Sequence, residues 1–126
     1  MADLITSLSF AASGMEAQAT RLRHVSENIA NVDTPGYHRK TISFEAAMDS
    51  GLVKAGPVRL DRSEPARIYA PGHPLADETG YYDGSNVDLV VEIADAREAQ
   101  RSYEANLKLF DQARQMTQSL FDLLRR

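Results

Sequence analysis

The sequence predicts a mainly α fold: long N- and C-terminal helices pair as an antiparallel coiled-coil-like hairpin, with a small irregular β-rich insert between them. Three observations predict it. An apolar 4-3 rhythm runs through the first thirty residues. A second rhythm fills the last forty, which contain neither Gly nor Pro. Four of the five prolines and most of the seven glycines fall between the two.

The first helix covers about 3–31. Leu4, Leu8, Ala11, Met15, Gln18, Leu22, Val25, Ile29 and Val32 follow alternating steps of four and three, which is the spacing of a coiled-coil seam. Ala11, Ala12, Gly14 and Ala17 are small enough to let another helix approach closely. The helix ends in NIANVDTPGYHRK, residues 28–40. Asn28 and Asn31 lie three apart near the helix end. Asn31 is expected to take a left-handed C-cap conformation, leaving Asn28 for the last carbonyls or a neighbour. Thr34, Pro35, Gly36 and Tyr37 suit a type II turn, with Pro at the second position and Gly at the third.

The insert has short β candidates between turn residues. KTISF alternates, with Ile42 and Phe44 on one face; GPVRLDR alternates Val58 and Leu60; PARIYAP offers Ile68 and Tyr69. Few apolar residues serve this stretch, so it buries little core by itself.

The second helix covers about 87–126. Ala99, Tyr103, Leu107, Phe110, Ala113, Met116, Leu120 and Leu124 recur every three or four residues. Asn86 or Asp88 can cap its start. Arg125 and Arg126 place cations where the macrodipole favours them. Leu109, Phe110, Phe121 and Leu123 widen the apolar band beyond what one partner helix covers. The remainder needs helices from other chains. The segments are therefore 1–36, 37–85 and 86–126: N-terminal helix and turn, insert, C-terminal helix.

Bulk properties exclude several classes. The chain has 126 residues, a net charge of −4 and no cysteine. Disulfides, thiolate catalysis and Cys-ligated metals are ruled out. The acidic balance argues against nucleic acid as a partner. No apolar run reaches membrane-spanning length. MADLITSLSFAASGM lacks the basic start of a secretory signal, so export without a cleaved signal peptide is expected. The first twenty residues also lack the Lys and Arg of a membrane-surface amphipath.

Catalytic patterns are missing: no nucleophile elbow, P-loop or dinucleotide fingerprint occurs. The reading is no enzyme, no cofactor and no metal. His24 and His38 read as exposed polar residues. His73, near Asp77 and Glu78, is the best foothold for a metal, yet Pro71 and Pro74 make a rigid loop the plainer reading.

Two motifs carry a family resemblance. Asn28, Ala30, Asn31, Thr34, Pro35, Gly36 and Tyr37 resemble the N-terminal signature of bacterial flagellar rod, hook and hook-filament-junction proteins. The segment from Tyr69 on is similar to the C-terminal half of the FlgC rod proteins. It carries Pro71, His73, Pro74, Ala76, Asp77, Gly80 and Tyr81, then Asn86, Val87 and Asp88, then Arg101, Tyr103, Glu104, Ala105 and Asn106. Ser85 stands where that family has Pro, and a looser turn is expected there. VDTPGYHRK lacks a few residues common in FlgC and in that respect resembles FlgB, the neighbouring rod protein.

The resemblance implies a structural subunit of the proximal rod of the flagellar basal body. Such a subunit leaves through the flagellar type III export apparatus and spans the periplasm as part of the rod. Its terminal helices line a tube around the export channel. Its partners are other copies and the rod proteins FliE, FlgB, FlgF and FlgG, with neither nucleic acid nor membrane insertion. Before assembly the helices are expected to be partly disordered. FlgB and, from another class, a small helical adaptor or secretion chaperone are the alternatives.

Overall fold

The structure, a computed structural model, describes residues 2–47 and 50–125. Arg126, expected at the C-terminal cap, lies outside them. Two helices dominate: α1 is Ala2–Ala30 and α2 is Leu89–Leu124. They pack antiparallel, with Gly14 opposite Asn106 and Asn28 opposite Glu92.

Each helix stops for a local reason. At the end of α1 the backbone amide and the side-chain amide of Asn31 both donate to the carbonyl of Glu27, at 3.1 and 2.8 Å. The Glu27 carbonyl thereby takes a side-chain donor beside its ordinary helical one. Asn31 does this without a left-handed backbone, because among the described residues only glycines have positive φ. That corrects the expected C-cap: the helix ends without a left-handed residue, and the Asn31 side chain adds a second donor to the Glu27 carbonyl. The turn at 34–37 is as the sequence predicts, with Gly36 at φ +73° and the Tyr37 amide donating to the Thr34 carbonyl at 3.2 Å. At the start of α2, Asp88 accepts from the Val90 amide at 3.0 Å, a side-chain N-cap. At the other end Arg125 is the C-cap.

Among the described residues three antiparallel strand pairs lie between the helices. β1 (Lys40–Thr41) pairs with β4 (Arg59–Leu60), and β2 (Phe44–Ala46) with β3 (Val53–Ala55). The second pair sits inside the first in sequence, so the four form one long hairpin with a broken joint. KTISF is therefore not a single strand; it is interrupted at Ile42 and Ser43. At the joint the Gly56 amide donates to the Ser43 carbonyl at 2.7 Å. A Cβ at Gly56 would meet Ser43 Oγ and Glu45 Oε1 at 2.9 Å, so a larger residue there requires these side chains to shift. β5 (Arg67–Tyr69) pairs with β6 (Tyr81–Asp83) around the loop holding His73.

The interior is thin. Among the described residues the buried apolar side chains are Ala11, Ala17, Val25, Ala99 and Ala113. Small residues at the helix contact let the backbones approach, but they remove little apolar area from water. The two largest fully buried side chains are Asn28 and Glu92, both polar.

Candidate functional site

The polar centre joins the two helices to the insert. Asn28, in the last turn of α1, uses all its hydrogen-bonding capacity. Its Nδ2 donates to the Lys40 carbonyl at 3.0 Å and to Glu92 Oε2 at 3.2 Å. Its Oδ1 accepts from the Lys40 amide and the Tyr37 hydroxyl, each at 2.8 Å. Glu92 Oε1 accepts from Arg39 Nε at 2.6 Å, and Arg39 Nη2 reaches Asp95 Oδ2 at 3.1 Å. Burial opposes the Arg39 charge, but the Glu92 bond and the carboxylates of Glu92, Asp95 and Asp61 outweigh it and raise its pKa.

Around this hub the chain is tied twice more. Asn86 Oδ1 accepts from the Arg39 amide at 2.6 Å, and its Nδ2 donates to the Asp61 carbonyl at 2.9 Å. Ser85 is buried; its hydroxyl donates to the Val32 carbonyl and accepts from the Val87 amide. The segment expected to be looser for want of a proline is clamped by this hydroxyl instead. At the rim, Lys40 Nζ donates to Glu27 Oε2 at 2.8 Å; that bond raises the lysine's pKa and lowers the glutamate's.

His24 corrects another expectation. It is buried, not exposed, and neither ring nitrogen has a hydrogen-bond partner; Glu27 Oε2 is 3.8 Å from Nδ1. It lines a cavity of about 450 Å³ with Gln18, Val25, Arg39 and Ile42. His38 is exposed, with Nδ1 3.0 Å from the Asp61 carbonyl oxygen.

The His73 loop is held by its own side chains. His73 Nδ1 accepts from the Leu75 amide at 3.1 Å, and its ring stacks on Tyr82 at 4.0 Å. Asp77 accepts from the Thr79 hydroxyl (2.6 Å), the Thr79 and Tyr81 amides, and Arg67 (2.8 Å). These bonds, the Thr79 hydroxyl first, hold the Asp77 pKa far below the ordinary carboxylate value. Gly80 closes the loop at φ +86°, where a Cβ would meet the Tyr69 ring at 2.8 Å. Pro74 lies exposed in the same loop. Among the described residues no group of three His, Asp or Glu could hold a metal ion.

The seam residues fall into three groups. Ala11, Val25 and Ala99 are buried; Leu4, Leu8, Met15, Leu22, Tyr103 and Phe110 are half-buried. Ile29, Leu107, Met116, Leu120 and Leu124 are exposed on the single chain. Of the motif residues, Asn28, Tyr37 and Asn86 meet around the hub, Asn31 caps α1 beside it, and Asn106 lies against Gly14. Arg101 stands exposed on the outside of α2, and Ala30 is exposed at the end of α1. Sequence reading missed Arg39 and Glu92, and read Ser85 only as a looser turn. Only Glu92 leaves a signal: it is one acid within the apolar run Leu89, Val90, Val91 and Ile93, a helical turn before Asp95 and two before Ala99 on the inner face.

This is an architecture for holding and presenting surface. The chain exposes 8889 Å². A compact monomer of its mass, 13.9 kDa, exposes about 6,700 Å². The excess, on the order of 2,200 Å², equals two or three standard contact patches of about 800 Å² each. Much of it is apolar, along Leu107, Leu109, Met116, Phe121 and Leu123 of α2.

Comparison with known proteins agrees. Residues 8–38 match the family model described as flagella basal body rod protein. Residues 78–123 match that of the flagellar basal body rod FlgEFG protein C-terminal region. The chain is 45% identical over 136 aligned residues to the flagellar basal-body rod protein FlgC of Agrobacterium fabrum, covering 99% of this chain and 98% of that one. The FlgC of Aquifex aeolicus is 38% identical over 97% and 98% of the two chains. That of Salmonella typhimurium is 32% identical over 90% and 92%. With motifs at both ends matched and similarity running the length of the chain, the protein belongs to the family of flagellar basal-body rod proteins FlgC.

Proposed function

We propose that the chain is a structural subunit of the proximal rod of the flagellar basal body. Its two helices pack beside those of neighbours into a tubular drive shaft around the export channel, with the insert outside. The observation that carries this is the unfinished helix pair: a thin core of small residues beside a wide exposed apolar band. The hub fixes the angle at which the insert leaves the helices. A small adaptor offering one stripe to one partner needs no such joint.

The neighbours in this reading are other copies, FliE, FlgB, FlgF and FlgG. The chain reaches them through the type III export apparatus and works within the periplasm. It performs no catalysis and uses no cofactor. Before assembly the helix ends are only partly ordered, because their packing partners are absent. Torque passes through many packed seams, and heterologous contacts let growth continue without closing.

The test is complementation of a strain lacking the chain. Leu22→Asp and Leu107→Asp variants accumulate in the cell yet give no rod and no swimming. Swimming at the unmutated level in both would contradict the reading.

A further inference from the structure

Charge is unevenly spread along the chain. Residues 37–70 hold six Lys or Arg and four Asp or Glu, while the whole chain holds 14 and 18. The insert is thus a basic body on an acidic pair of helices. Three of its six cations are spent: Arg39 on Glu92 and Asp95, Lys40 on Glu27, and Arg67 on Asp77. Among the described residues Lys54, Arg59 and Arg62 make no ion pair. Arg59 and Arg62 lie together, lining with His38 and Leu60 an open hollow of about 580 Å³. The acid between them is turned elsewhere: Asp61 accepts from the Ser63 amide at 2.8 Å and faces Arg39 at 3.7 Å.

The same residues border an unfilled sheet edge. β4 pairs with β1 on one side only. In an antiparallel pair, successive residues turn their backbone groups toward the partner and away from it. The Asp61 amide donates to the Arg39 carbonyl, so Asp61 faces β1. Lys40 turns both its backbone groups to Asn28. Leu60, the residue paired with Lys40, therefore turns its own to the opposite, open edge. Val58 and Arg62, two residues to either side, make no backbone hydrogen bond among the described residues. Val58 and Leu60 also expose their side chains, by 47% and 57%. An edge with free donors and acceptors is a template for a further strand.

We propose that this edge takes an extended, carboxylate-rich segment of another protein as an added strand. The backbone of the segment pairs with Leu60, and its carboxylates reach the guanidinium groups of Arg59 and Arg62. Charge selects the partner, since both arginines repel a basic segment. The edge selects its conformation, since a helix has its backbone groups already paired. The surface belongs to the insert and not to the terminal helices, so the inference goes beyond the rod reading and does not depend on it.

The probe is a labelled peptide of alternating Glu and Val, titrated into the full chain and followed by fluorescence anisotropy. Saturable binding is expected, with slower exchange of the Leu60 amide in the complex. Arg59→Glu and Arg62→Glu each weaken binding about fivefold or more. Lys54→Glu, the same charge change on β3, weakens it by less than about twofold. All three positions are exposed, and an unchanged helical circular dichroism spectrum shows that each variant folds. A peptide of equal charge with proline at every third position cannot form a strand and binds more weakly than the first. No saturable binding overturns the proposal. So does equal affinity for the proline peptide, or an equal loss in all three variants, because either leaves only diffuse attraction between opposite charges. Vesicles of anionic lipid that bind the chain as tightly as the peptide does would make the patch a general polyanion surface and overturn the added strand.

Discussion

The carboxamide of Asn28 donates to Oε2 of Glu92 at 3.2 Å, and neither side chain touches solvent. The pair joins the end of α1 to the start of α2 across 64 positions of sequence. The same Asn28 binds both backbone groups of Lys40, so the insert cannot shift without breaking this joint. A buried polar joint contributes register more than stability, since its desolvation offsets much of its bonding.

Removal of the joint is therefore costly. Asn28→Ala strips the Lys40 amide and the Tyr37 hydroxyl of their acceptor and leaves Glu92 with one bond fewer. Buried groups left unpaired cost about 2–4 kcal/mol. Amide exchange at Lys40 is expected to accelerate at least tenfold, with Arg39 following. Unchanged protection at Lys40 would show that the joint is not holding the insert.

The helix crossing depends on Gly14. A Cβ there would meet the Asn106 side-chain head at 2.8–2.9 Å. Gly14→Ala is expected to lower the thermal midpoint despite a gain of about 1 kcal/mol in helix propensity. In an Asn106→Ala background the clash is gone, and the same substitution raises the midpoint. A change of the same sign in both backgrounds would break the argument.

Asp77 sets an acid limit on the outer loop. Its pKa in the folded chain lies below the ordinary Asp value, chiefly through the Thr79 hydroxyl and the Tyr81 amide, with Arg67 adding to them. The stabilisation is thus complete above the unfolded-state pKa and is lost as pH falls through the lower folded value. Carboxyl and amide NMR of Asp77, Thr79 and Tyr81 is expected to stay constant through pH 4 and move only in stronger acid. An inflection near the ordinary value of 3.8 would contradict it.

Ser85 clamps the return of the chain into α2. Ser85→Ala leaves the Val32 carbonyl and the Val87 amide without their partner, a loss of about 1–2 kcal/mol. Faster exchange at Val87, with α1 unaffected before Glu27, is the expected signature. Equal exchange in both proteins would remove the clamp from the account.

Much of this architecture is written in periodicity. The 4-3 rhythm and the Gly- and Pro-free run mark both helices because a helix repeats its inward face every three or four residues. The turn at Thr34, Pro35, Gly36 and Tyr37 is equally legible, since Gly36 must adopt positive φ. The hub is legible only in part: Asn28, Tyr37 and Asn86 stand in the motifs and Glu92 is one acid in an apolar run, but Arg39 is an ordinary charged residue until distant segments meet, and no local pattern records a bond across 53 positions. His24 misleads for the same reason: a charged neighbourhood in sequence suggests exposure, while packing buries the ring. The strands are too short, two or three residues each, to leave a firm alternation. Family resemblance supplies the assembly that isolated residues only hint at through surplus apolar surface.

The central claim is that the chain is an unfinished subunit completed by its neighbours in the rod. Hydrogen exchange with mass spectrometry, on the free chain and on isolated basal bodies, tests it most directly. The account predicts that in the free chain the ends of α1 and α2 away from the hub exchange within minutes while segments around Asn28, Lys40 and Glu92 stay protected. In basal bodies both helices are protected throughout. Full protection of both helices in the free chain, or no trace of the chain in basal bodies, would contradict it.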